Sequence, residues 1–209
     1  MRILLTTAAT VAMVGGFNGA AMAQTTSSTP DSVTTTDHLE GANYFDLESS
    51  LPFKAPDFSK ISEDDYLPAF KTAMAIQKGE IQRIIDNPEP PTFANTIVAL
   101  EKSGRMLGRV SAVFFHLTGA DTTDRLDEIN TEISPKLSAH SDSIVLNPEL
   151  FARVKAVYDN RAAMSMTPED AKLLEDTYQG MVHAGAELTD SQRERVKEIN
   201  TELSTVTTE

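Results

Sequence analysis

The sequence predicts an all-α protein, an antiparallel helical bundle, on three observations. From Leu51 onward the apolar stripes recur at helical spacing and none alternates as a half-buried strand would. The expected helix starts carry capping side chains, among them Ser62, Thr92, Thr167 and Thr189, and prolines interrupt the stripes between them. The 209-residue chain has 40% apolar and 23% charged residues and no cysteine, the composition of one core held by packing alone.

Six helices can be placed in order. Ser62 caps the first while Asp65 reaches back, and Pro68 fits its opening because it has no N–H to donate. Phe70, Met74, Ile81 and Ile84 share its inner face, and Asn87-Pro88-Glu89-Pro90-Pro91 ends it. Thr92 caps the second, where Phe93, Ile97, Leu100, Gly104, Leu107, Ser111 and Phe114 alternate in spacings of four and three. That repeat predicts one long bundle helix with a continuous seam. Asp121 or Thr123 opens the third, with Leu126, Ile129, Ile133, Leu137 and Ile144 on one side and a bend expected at Pro135. Asn147-Pro148 starts a short fourth helix using Leu150, Val154 and Val157. Thr167-Pro168-Glu169-Asp170 supplies the fifth with a cap, a first-turn proline and two acids at the positive end of the helix dipole, before Leu173, Leu174, Tyr178 and Met181. Thr189 and Gln192 form a capping box for the sixth, whose stripe is Val196, Ile199, Leu203 and Val206. No Gly or Pro ends it before Glu209, so the polypeptide is expected to be truncated there.

Residues 1–23 have the layout of a cleavable signal peptide: Arg2, an apolar run from Ile3 to Val14 too short to span a membrane, then Ala21-Met22-Ala23. The mature chain is then expected to start at Gln24 and to be periplasmic or secreted, with no membrane contact after cleavage. Residues 24–50 are rich in Ser, Thr and Asp and predict a flexible linker, leaving 51–209 as the helical region. A formal net charge of -13 argues against nucleic acid, which demands clustered Lys and Arg.

Chemistry-bearing patterns are missing. There is no His-Glu-x-x-His zinc motif, no Gly-x-Ser-x-Gly elbow and no glycine-rich phosphate loop. His38 falls in the linker, and His116, His140 and His183 stand singly on three helices, which predicts surface or packed histidines rather than ligands. Glu128 and Glu132, one turn apart, lack a Glu-x-x-His partner and predict a solvated face. Gly104 and Gly108 form a small-residue step flanked by Lys102, Arg105 and Arg109, which predicts a close helix crossing in a soluble bundle. The run Glu128-Ile129-Asn130-Thr131-Glu132-Ile133-Ser134 echoes Glu198-Ile199-Asn200-Thr201-Glu202-Leu203-Ser204. Two copies are too few for a solenoid, so the pair predicts two helices sharing one amphipathic solution.

Four segments resemble the amino-terminal region of the thimet oligopeptidase family, above all its bacterial peptidyl-dipeptidase branch. They are Pro56-Asp57-Phe58-Ser59-Lys60-Ile61 leading to Tyr66-Leu67-Pro68-Ala69-Phe70; Pro91-Thr92-Phe93-Ala94-Asn95-Thr96 with Leu100-Glu101; Pro135-Lys136-Leu137-Ser138; and Leu188-Thr189 through Ile199-Asn200-Thr201-Glu202-Leu203-Ser204. The resemblance implies a longer, two-lobed enzyme with a deep channel, zinc held by His-Glu-x-x-His and a later Glu, and short unfolded peptides as substrates. It makes this chain the amino-terminal wall of that channel, lacking the carboxyl-terminal catalytic part. No catalytic, cofactor-binding or metal-ligating residue is expected here, and the chain alone is expected to bind no zinc and to be inactive. The alternative reading is a freestanding periplasmic helical binding or scaffold protein.

Overall fold

The computed structural model describes residues 43–207. The signal peptide expected over 1–23 and most of the linker expected over 24–50 lie outside the described residues, as does His38.

Packing starts earlier than the Leu51 boundary predicts. Asn43 caps a short 3-10 turn, Tyr44–Asp46, accepting from the Phe45 amide at 3.0 Å and donating to the Asp65 carbonyl at 2.8 Å. Phe45 is buried against Tyr44 and Tyr66, and Arg109 donates to its carbonyl at 3.3 Å. One buried ring and its polar ties thus order the end of a stretch whose composition predicts a linker, because composition averages over a segment and a single aromatic can anchor it.

Helix α1, Tyr66–Ile85, is the axis of the fold. Its entry follows the expected capping box: the Asp65 carboxylate accepts from the Ser62 amide at 2.7 Å, and the Ser62 hydroxyl accepts from Asp64 at 3.4 Å. Such a cap contributes about 1 kcal/mol. The two halves of α1 serve two different cores. Tyr66, Ala69, Phe70 and Ala73 pack with Phe45, Met106, Val110, Phe114, Leu126, Ile129 and Ile133. Ile81 and Ile84 pack with Ile97, Leu150, Phe151, Val154, Val157, Leu174 and Met181. Phe70 and Phe114 meet edge to face at 5.4 Å, the arrangement favoured by ring quadrupoles.

The second helix departs from its predicted continuity. Thr92 and Asn95 form a reciprocal cap, at 2.8 and 3.1 Å, for a π-helical segment, Phe93–Val98, which runs into the short α2, Ala99–Glu101. The chain then breaks, and α3 occupies Arg105–Ala120. Gly104 sits at φ +70°, the left-handed region that favours glycine. The Ser103 hydroxyl turns back onto the Leu100 carbonyl at 2.7 Å, and the Glu80 carboxylate accepts the Gly104 amide at 2.7 Å. After the break the buried face is Met106, Val110 and Phe114, while Leu107 and Ser111 are only half-buried. The predicted helix crossing at Gly104 and Gly108 is also absent: Gly104 makes a turn, and Gly108 is exposed with nothing within 4 Å of where a Cβ would stand.

Thr123, not Asp121, caps α4, Asp124–Val145, which passes through Pro135 without interruption. Asn147 accepts from the Glu149 and Leu150 amides, both at 2.9 Å, and opens α5, Pro148–Asp159. Thr167 opens α6, Pro168–Ala184, as predicted, and Gly185 at φ +108° closes it while Ala186 donates back to the Met181 carbonyl at 2.9 Å. Gln192 completes the expected box at Thr189 for α7, Asp190–Val206. Helices α1, α3 and α4 surround the first core, and α1, α5, α6 and the π segment surround the second. Helix α7 packs along α4 but places no residue in either core. Among the described residues there is no strand.

Candidate functional site

The most interconnected polar cluster lies at the helix break. His140 on α4 bonds through Nε2 to the Gln77 side-chain oxygen of α1 at 2.8 Å. The Gln77 amide nitrogen in turn reaches the Ser103 hydroxyl at 3.5 Å. With the Gln77 amide in this orientation, His140 donates from Nε2. Burial, then the positive charge of Lys78, pushes the His140 pKa below its usual value. Beside the cluster opens a groove of about 350 Å³ lined by Glu80, Arg83, Asn87, Asn95, Lys102 and Ser103 among others.

This cluster is organised for architecture rather than bond-breaking. Ser103 donates to a carbonyl and is separated from His140 by Gln77, so no base addresses its hydroxyl. Glu80 is taken up by the Gly104 amide, and Asn95 by Thr92 and the Pro90 carbonyl. The other histidines stand apart: His116 on α3 turns back onto the Ala112 carbonyl at 2.6 Å, and His183 is exposed on α6. Glu132 pairs with Lys136 at 2.5 Å and Glu128 with Arg125 at 3.1 Å, both on the exposed side of α4, in keeping with a solvated face. Among the described residues, no three His, Cys, Asp or Glu side chains gather where one metal ion could be held. These residues therefore do not fit a zinc centre.

A second buried polar contact ties α7 to α4. Asp142 is buried on α4, and the Asn200 amide donates to its two oxygens at 2.9 and 3.1 Å. Burial raises the Asp142 pKa, while the Asn200 hydrogen bond and the charge of Lys197 act in the opposite sense. Sequence reading passes over Gln77, Glu80 and this Asp142–Asn200 pair, because each partner is ordinary alone and pairing across 58 residues leaves no local signal.

The described residues form a helical scaffold of two cores joined by α1, in which no three potential metal ligands gather. The chain is 41% identical over 167 residues to a dipeptidyl carboxypeptidase of Escherichia coli, covering 80% of this chain and 24% of that protein. It is 40% identical over 159 residues to the dipeptidyl carboxypeptidase of Salmonella typhimurium, covering 76% and 23%. An oligopeptidase A of Escherichia coli matches at 24% over 153 residues, covering 73% and 22%. No protein-family model matches the chain. The chain is therefore homologous to dipeptidyl carboxypeptidases and, more distantly, to oligopeptidases, consistent with the peptidyl-dipeptidase branch of the thimet oligopeptidase family. It spans about a quarter of the length of these relatives.

Proposed function

We propose that this chain is the amino-terminal wall of a secreted zinc peptidyl-dipeptidase, restricting access to a channel in which short unfolded peptides lose dipeptides from their carboxyl ends. The observation that carries the reading is the 41% identity to a dipeptidyl carboxypeptidase across four fifths of this chain. A metal ion in such an enzyme lowers the pKa of bound water to about 7 and polarises the scissile carbonyl. Its ligands and the catalytic base lie in the part that this chain does not span. What the helices contribute is shape: two packed cores along α1 make a rigid wall, and a rigid wall selects by excluding folded substrates. The leader over residues 1–23 would carry the enzyme to the periplasm or outside the cell.

The test is a chimera in which this chain replaces the matching quarter of the Escherichia coli dipeptidyl carboxypeptidase. Zinc-dependent release of dipeptides from a short peptide, with no cleavage of a folded protein, is the expected result. A chimera that folds and cleaves short peptides and folded proteins alike would overturn the gating role. The chain alone is expected to show neither tight stoichiometric zinc uptake nor peptide cleavage.

A further inference from the structure

We infer that the Ile199, Leu203 and Val206 stripe of α7 is the seat of an apolar helix belonging to the catalytic part of the peptidase, an inference that rests on the reading just given.

Helix α7 is mounted with a largely polar side inward, Val196 being the one apolar residue of its stripe that is half-buried. The residues it turns toward α4 include Asn200, which bonds Asp142, and the Asn200 carbonyl accepts from Ser138 at 3.5 Å. The rest of the stripe is left in water: Ile199 is 46% exposed, Leu203 59% and Val206 70%. An amphipathic helix packed on one neighbour alone would bury the opposite face.

The repeated heptapeptide makes the inversion visible within one molecule. In α4 the pair Ile129 and Ile133 is completely buried in the first core. In α7 the matching pair, Ile199 and Leu203, faces solvent. The two copies therefore do not share one amphipathic solution as their sequences predict. The second copy retains the core-forming pattern and has no core to enter.

The occupant follows from charge and length. A second copy of this chain carries the same overall formal net charge of -13, which opposes self-association. The relatives are about four times as long as their match to this chain, and on the peptidase reading that further length supplies the occupant. Val196, Ile199, Leu203 and Val206 follow three-four-three spacing, which a helix with a similar stripe fits by interdigitation. Glu202 lies on the rim of the stripe, where its charge acts on Arg195 of the same helix, and the incoming helix is expected to bring a basic rather than an acidic residue beside it.

The absence of cysteine from this chain makes one thiol sufficient as a probe. Leu203→Cys is placed in the full chain and in the chimera, with Thr201→Cys on the opposite side of α7 as control, and maleimide labelling is followed by peptide mapping. Labelling at position 203 is expected to be at least tenfold slower in the chimera than in the isolated chain, with position 201 unchanged. Equal labelling at 203 in an active chimera overturns the inference and leaves the peptidase reading standing. Protection at 203 in a folded chimera without peptidase activity supports the seat on α7 and counts against the access-wall reading. Protection that grows with the concentration of the isolated chain makes a second copy the occupant and overturns the inference. As a second measurement, Leu203→Asp should leave the unfolding midpoint of the isolated chain unchanged and lower that of the chimera; equal effects in both refute it.

Discussion

Replacing Gly104 with alanine should destabilise the bundle by about 2–3 kcal/mol. A left-handed alanine costs roughly 1–2 kcal/mol. The new Cβ would stand 2.3 Å from the Gln77 Nε2 atom, so the Gln77 side chain has to leave. Its departure breaks the His140 contact at 2.8 Å and the weaker Ser103 contact at 3.5 Å, together about 1 kcal/mol at the net value of such bonds. For a chain of this size each kcal/mol lowers Tm by roughly 2–4 °C, so a drop of roughly 4–12 °C is expected. Thermal unfolding followed by circular dichroism measures it, with Gly108→Ala as the control. Gly108 is helical, exposed and uncrowded, and alanine there should stabilise by roughly 0.5–1 kcal/mol. A Gly104→Ala protein as stable as the parent would refute the reasoning. It would mean that the chain can heal the break and run as the continuous helix its apolar repeat describes.

Three further outcomes are expected. Tyr66 is buried and its hydroxyl has no hydrogen-bond partner among the described residues, so Tyr66→Phe should be neutral or stabilising by up to about 1–2 kcal/mol in urea unfolding; a clear loss would reveal a partner for that hydroxyl. The lowered His140 pKa means that the unfolded chain takes up a proton first: the stability it contributes is present above the ordinary value near 6.5 and is lost as pH falls through the folded value, a dependence that His140→Gln should remove from a pH series of unfolding midpoints. Asp142 runs the other way, because its raised pKa gives a contribution that is complete below 3.8 and lost as pH rises through the folded value; Asp142→Asn should therefore gain on the parent as pH rises through that window, and a constant difference would exclude the effect.

The helical class and most element starts were legible in the sequence because they depend on neighbours in the chain. Ser62, Thr92, Thr123, Asn147 and Thr167 all cap where local chemistry puts them. The stripes of α5 and α6 likewise identify Leu150, Val154, Val157, Leu174 and Met181 as buried. The break at Gly104 was not legible, because the apolar repeat runs through it and Glu80, the residue that satisfies the freed amide, sits 24 positions away. The orientation of α7 was hidden for a related reason: periodicity tells which residues share a face, and only tertiary contacts tell which face turns inward. Of the candidate site, the sequence showed the separation of the histidines onto different helices, whereas the His140–Gln77 bond spans 63 positions and depends on how α1 meets α4.

The division of α1 between two cores has a spectroscopic consequence. The chain has no tryptophan and four tyrosines, and these fall two to each end of the molecule. Tyr44 and Tyr66 line the first core, while Tyr158 and Tyr178 stack at 3.9 Å beside the second. Intrinsic emission therefore reports on both ends in one signal, and replacing either pair with phenylalanine leaves a reporter for the other alone. Emission melts recorded on the two double variants would show whether α1 transmits unfolding from one end to the other or whether each end loosens at its own temperature.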